Sequence, residues 1–294
     1  MREDLIYDVG LHNGDDTAFY LHRGYDVIAV EADPSLIAAA RERFAKELDA
    51  GRLSLVHAGI ADRAGSATFF LCEGKSEFNS FDRANATKQG HACREIEITC
   101  RTFASILEEF GTPHYLKIDI EKFDRHCVAD LNRLDLPRFL SCELTDTDQI
   151  EQMAGLGYDA FKLVWQGHHR AVEDETRTFT AWAERRLQQF ARGAWLMSKL
   201  RSARDRAGRA LARLLRKGGL LPPENSWGWK FRHGSSGPFG EDAPGEWIDR
   251  DEALFRWLAL RRKHGENFWV DVHATRLSSS PIQCGRQQAL LRCA

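Results

Sequence analysis

Asp8, Gly10 and Gly14 stand in an Asp-x-Gly-x-x-x-Gly spacing directly behind the apolar run Leu5-Ile6-Tyr7, with Asn13 and Thr17 flanking the second glycine. This pattern reads as a β-strand that breaks at a glycine turn and enters a helix. Gly10 lets the chain turn sharply and lets a ligand approach the backbone. Asp15, Asp16 and Thr17 suit a first helical turn, where side-chain oxygens satisfy free N–H groups. A second run, residues 25–30, ends at Glu31 and is followed by Ala32, Asp33 and Pro34. A carboxylate at that strand end is placed to accept hydrogen bonds from both hydroxyls of a ribose, and Pro34 suits the start of the next helix. Asp62, after a third strand, is a candidate contact to the base, with a simple turn as the alternative. Together these residues describe a nucleoside pocket.

The kind of nucleoside follows from what surrounds the glycines. A dinucleotide fingerprint needs Gly-x-Gly-x-x-Gly so that a pyrophosphate can sit on the helix N-terminus. That spacing is absent, and Asp15 and Asp16 would repel a pyrophosphate. They would tolerate the ammonium and sulfonium of S-adenosylmethionine, which this opening favours.

Downstream, Asp119 and Glu121 follow the apolar run 115–118, on the edge where open α/β sheets bind ligands. Two apart on an extended strand, they would share a face. Asp119 is the first choice for the catalytic position. Glu121 and Glu143 would orient substrate or share a metal, although no metal-ligand motif points to one. The alternative, that these carboxylates cap helices or pair with Lys117, stays open. Among the histidines, His57, His126, His168, His169, His233 and His273 have the chemistry of a base. His233 is preferred because it adjoins the Gly234-Ser235-Ser236-Gly237-Pro238 loop. His168 and His169 lack the i, i+4 pairing of a helical metal motif.

Strands and helices alternate through the first 165 residues, which predicts a mostly parallel sheet. Helices are expected over 34–48, 103–110, 148–155 and 251–264, and another after residue 120 running through Leu134. Strands are expected over 53–56, 115–120, 139–144, 161–165 and 268–272, with a hairpin-like segment at 67–71 and an exposed strand at 96–98. Residues 72–94 are polar and glycine-containing and read as a loop over the site. The alternating Trp227, Trp229 and Phe231 read as a further strand.

The 294 residues hold 43% hydrophobic and 29% charged side chains at a net charge of −2, ordinary values for a water-soluble globular chain. No apolar run reaches membrane-spanning length. The first strand starts next to Met1, so no leader peptide is expected and the location expected is cytoplasmic. Seven cysteines without a Cys-x-x-Cys pair predict neither a zinc site nor a disulfide framework. The stretch 183–217 breaks the rhythm with eleven Arg or Lys against Glu184 and Asp205. It reads as an amphipathic basic helix: a lid, or a surface for a membrane, an anionic glycan or another anionic partner.

Three blocks resemble the FkbM family of methyltransferases. They are Tyr7-Asp8-Val9-Gly10 through Thr17 and on to Pro34, then Leu116-Lys117-Ile118-Asp119-Ile120-Glu121, then Ser141-Cys142-Glu143-Leu144 with Gly157-Tyr158. The resemblance spans roughly residues 5–165. Lys122 and Asp124 depart from it, standing where the family usually has glycine and often glutamate. It implies a class I methyltransferase (Rossmann-like) fold, an α/β seven-stranded, mostly parallel sheet with helices on both faces and an antiparallel last strand. Residues 227–231 would be that strand, paired with 161–165. The expected organisation is a core over 1–182, a basic helical insertion over 183–225, the last strands over 226–277 and a loosely held tail over 278–294. The implied activity is S-adenosylmethionine-dependent transfer to oxygen on a glycan or small-molecule hydroxyl. Transfer to nitrogen and a non-catalytic binding module are the alternatives.

Overall fold

The computed structural model describes residues 1–121, 123–172, 228–232, 234–265 and 268–277. Lys122, His233, Trp227, the basic stretch 183–217 and the tail 278–294 lie outside the described residues. The described residues through Val172 and from Arg232 onward belong to one compact unit, which carries every element below.

In chain order the elements are β1 (Arg2–Val9), α1 (Asp15–His22), β2 (Asp26–Glu31), α2 (Pro34–Arg43), α3 (Ala45–Asp49), β3 (Leu53–His57), β4 (Gly59–Ile60) and β5 (Gly65–Cys72). Then follow α4 (Arg83–Ala86), β6 (Cys93–Arg101), α5 (Phe103–Phe110), β7 (Pro113–Ile118), α6 (Asp124–Ala129), β8 (Phe139–Glu143) and α7 (Thr147–Leu156). The last are β9 (Ala160–Trp165), β10 (Arg170–Ala171), α8 (Arg250–His264) and β11 (Val270–Thr275).

The main sheet runs β10-β9-β11-β8-β7-β1-β2-β3. The strands β3, β2, β1, β7 and β8 pair in parallel, and β11 runs antiparallel between β8 and β9. This is the expected mostly parallel α/β sheet with an antiparallel strand, extended by the two-residue edge strand β10, which is itself antiparallel to β9. Its central strands are buried on both faces, as sheets covered by crossover helices require: Leu5, Ile6, Tyr7, Leu116 and Leu140 have no exposed surface. One face packs Tyr115 flat on Phe239, with ring centroids 4.2 Å apart, and Tyr20 edge-on to both.

The antiparallel strand is not the one expected. Residues 228–232 carry no strand, and β11 takes that place, pairing Val272 with Cys142 on one side and Leu163 on the other. Alternation of aromatics at 227–231 is a local signal. Residues 270–275 are buried throughout, Val270, Val272 and Ala274 on one face and Asp271, His273 and Thr275 on the other, which fits an interior place in the sheet.

Two helices are also shorter than their periodicity. The expected 34–48 helix breaks at Phe44, whose backbone leaves helical geometry as its side chain buries beside Gly14. The helix after residue 120 ends at Ala129, and Asn132 turns the chain by accepting from Leu134 N at 2.9 Å.

A second sheet, β4-β6-β5, stands beside the first and carries the 73–92 segment between β5 and β6. Among the described residues, no helix is long and apolar enough to cross a membrane.

Candidate active site

In the main sheet β2 and β3 lie on one side of β1, and β7 and β8 on the other. Ligands of open α/β sheets bind at such a switch point, outside the carboxyl ends of the strands. A cavity of about 390 Å³ opens there, within the usual size of small-molecule sites. Gly10, His12, Asn13, Glu31, Ala32, Lys117, Asp119, Glu121 and Glu143 line it from the main sheet. Ala58, Gly59 and Ile60 add an apolar wall, and Ser76, Phe78, Asn79, Phe81 and Lys88 reach it from the segment after β5.

The glycine turn is set by close packing. Gly10 adopts φ +89°, and a Cβ there would lie 1.9 Å from the carbonyl oxygen of Asp119. Gly10 N and Leu11 N both donate to Val30 O, at 3.0 and 3.1 Å, which ties the turn to β2. Asn13 Oδ1 accepts from Asp15 N at 2.9 Å and so starts α1. Glu31 accepts from three backbone N–H groups: His12 at 2.9 Å through Oε2, then Ala32 at 2.9 Å and Asp33 at 2.8 Å through Oε1. Burial raises its pKa, and those N–H groups oppose the rise. Each carboxylate oxygen can accept twice, so Oε2 keeps capacity for a ligand hydroxyl.

Asp8, Gly14 and Thr17 do not line the cavity; they support it from behind. Thr17 Oγ1 donates to Asp8 Oδ2 at 2.6 Å, Asp8 pairs with Lys117 at 3.0 Å, and Gly14 admits the Phe44 ring. Asp62, the expected base contact, is exposed and lies off the cavity lining; beside that cavity β4 and the residue before it present Ala58, Gly59 and Ile60.

Carboxylates dominate the other end. The strand stops at Ile118, so Asp119 and Glu121 do not share a face of an extended strand. Glu121 instead takes φ +50°, and this turn brings both to the cavity. Glu121 accepts from Asn85 Nδ2 at 2.9 Å and pairs with Lys88 at 3.4 Å. Burial raises the Glu121 pKa against those two partners. Glu143 is raised well above the carboxylate range by burial and then by Asp119, Glu121 and Asp271. Asp16 is pushed up to about 7 by burial, with Lys117 opposing and Asp8 adding to the rise.

Lys117, expected only as a pairing partner, also lines the cavity. It is buried, donates to Gly10 O at 2.8 Å and sits 3.9 Å from Asp119. Burial acts to lower its pKa, but Asp8, Asp119 and Asp16 outweigh that and raise it. Asp271 does not line the cavity; it is buried in β11 beside the Gln166 amide and adds to the rise of the Glu143 pKa. None of His57, His126, His168, His169 or His273 lines the cavity. Among the described residues the lining histidine is His12, whose Nε2 is 2.9 Å from Ser76 Oγ. Among the described residues, no group of three or more His, Cys, Asp or Glu is placed to hold a metal.

Residues 8–173, more than half of the chain, match the methyltransferase FkbM domain. The chain belongs to the FkbM methyltransferase family. It is therefore a methyltransferase of the class that uses S-adenosylmethionine. A search of curated proteins gave no match. Among solved structures, precorrin-6y C5,15-methyltransferase from Geobacter metallireducens GS-15 is similar over 58% of this chain and 74% of that one, at 13% identity and a TM-score of 0.30. The cavity of this FkbM chain fits such a cofactor chemically. Glu31 retains acceptor capacity, Ala58 and Ile60 offer an apolar wall, and the lining is acidic where a sulfonium and an ammonium need counter-charge.

Proposed function

We propose that this FkbM methyltransferase moves a methyl group to a hydroxyl oxygen of a glycan or other polyhydroxylated small molecule. When bound, S-adenosylmethionine supplies an electrophilic methyl carbon. The protein's part is position and a place for the acceptor's proton. Glu31, with the 10–13 turn and Ala32, holds the nucleoside end, and Ile60 packs on it.

The observation that carries the oxygen reading is the group Asp119, Glu121 and Glu143. Glu31 ends β2 and Glu143 ends β8, three strand spacings away in the β2-β1-β7-β8 order, or about 14 Å. Nucleoside recognition and acceptor chemistry thus fall at separate ends of one cavity. A hydroxyl is a weak nucleophile at neutral pH and gains from a positioned base. Crowding and burial give Glu143 a raised proton affinity in that position. Glu143 takes the proton, Asp119 orients the hydroxyl, and Glu121 links this end to the covering segment through Asn85 and Lys88.

The test is an assay with isotopically labelled methyl donor against monosaccharides, glycosides and a matched panel of amines. The reading expects O-methyl ethers and a large loss of kcat in Glu143→Gln at little change in cofactor affinity. Methyl transfer confined to the amines would overturn it.

A further inference from the structure

Two thiols stand outside the methyl-transfer chemistry. Cys72 ends β5, Cys93 begins β6, and the two are direct partners in the antiparallel register. Their rung is a non-hydrogen-bonded one. Glu73 N donates to Ala92 O at 2.8 Å in the next rung. The Cys72 N–H points away from β6, to Asn79 Oδ1 at 2.8 Å. Phe70, two residues earlier, likewise points its N–H away, to Ser80 O at 2.9 Å.

Opposed residues in such a rung project to one face with Cα atoms about 4.5 Å apart, inside the roughly 4.4–6.8 Å that a disulfide spans. Side chains on this face do meet across the strands: Thr68 Oγ1 donates to its partner Glu97 Oε1 at 2.7 Å. Both cysteines are free, Cys72 buried and Cys93 partly exposed. Between them lie residues 73–92, which supply Ser76, Phe78, Asn79, Phe81 and Lys88 to the cavity lining. The Cys72–Cys93 rung is the neck of the segment that covers the active site.

We propose that Cys72 and Cys93 form a dithiol site that closes to a disulfide by exchange with a low-molecular-weight disulfide. The more accessible Cys93, as thiolate, attacks one sulfur of the small disulfide; a mixed disulfide forms and one small thiol leaves. Cys72 then gives up its proton and attacks the Cys93 sulfur, and the second small thiol leaves. Two protein thiols are oxidised and one small disulfide is reduced to two thiols, so electrons and protons balance. The link makes 73–92 a closed loop and removes open arrangements from the covering segment.

The experiment incubates the full chain with oxidised glutathione, blocks remaining thiols by alkylation and digests with trypsin without reduction. Trypsin leaves Cys72 in peptide 64–75 and Cys93 in peptide 89–94. The proposal expects these two peptides joined, with the link absent in Cys93→Ser. Recovery of both peptides alkylated, each carrying glutathione, or joined to other cysteines would overturn it. So would a link that forms equally fast in the urea-unfolded chain, because the folded register would then contribute nothing.

Discussion

Lys117 Nζ lies 3.0 Å from Asp8 Oδ1, and both side chains are all but excluded from solvent behind the glycine turn. The pair ties β7 to β1, and Thr17 extends the tie to α1. Its ammonium also holds the Gly10 carbonyl and approaches Asp119, so one buried cation supports both the nucleoside turn and the acceptor end. Removing one partner of a buried pair strands the other charge, which costs about 3–5 kcal/mol. Lys117→Met is therefore expected to lower stability on that scale. Lys117→Met combined with Asp8→Asn should recover much of the loss. Urea unfolding of the single and double variants measures both.

Asp124 gives the stability a pH slope. It is 3% exposed, accepts from Ile120 N at 3.0 Å, and is pushed up to about 7 by burial, with Asp119 and Glu121 adding and the Ile120 N–H opposing. The folded chain thus keeps a proton that the unfolded chain has released. Stability from this group is full below about pH 4 and is lost as the pH rises through about 7. Asp124→Asn should flatten this part of the profile, by up to about 4 kcal/mol at the alkaline end. Unfolding midpoints across that range decide it; an unchanged slope would show that Asp124 ionises freely in the folded chain.

Gly10→Ala should be among the most damaging small substitutions. The residue takes φ +89°, and the new Cβ would lie 1.9 Å from Asp119 O, a backbone atom that cannot step aside alone. The strand ends of β1 and β7 would have to separate. Poor folding, or a folded variant without cofactor affinity, is the expected result of expression, circular dichroism and titration. By contrast Gly24, with open space around the same position, should tolerate alanine better despite its own positive φ.

Glu31→Ala leaves three backbone N–H groups, those of His12, Ala32 and Asp33, without their carboxylate. It also removes the acceptor offered to the ribose hydroxyls, and loss of a charged hydrogen bond there corresponds to about a 10- to 100-fold larger cofactor dissociation constant. Asp62→Ala, at an exposed position off the cavity, should leave that constant unchanged. Parallel titrations of the two variants test the assignment, and equal effects would contradict it.

Much of this site was legible because its signals are local. The turn at Gly10, the carboxylate closing β2 and the acids following β7 each sit at a strand end that hydrophobic patterning alone locates. What escaped depends on distant packing. Whether 227–231 or 270–275 enters the sheet is decided by pairing with β8 and β9, which no window around either segment contains. Glu121 reaches the cavity through a positive φ rather than strand alternation. Asp8 and Thr17 stand in the ligand motif by spacing, but in the fold the Lys117 ammonium pairs with Asp8 and Thr17 donates to Asp8. Asp62 follows β3 in the chain but is exposed and off the cavity lining, a matter of packing that its place in the sequence does not carry.

The most direct measurement is a calorimetric titration of the full chain with S-adenosylmethionine and S-adenosylhomocysteine, with NAD in a parallel run. An acidic cavity with Glu31 at the end of β2 predicts that both sulfur nucleosides bind and that NAD does not. Binding of NAD, or of none of the three, would contradict the account.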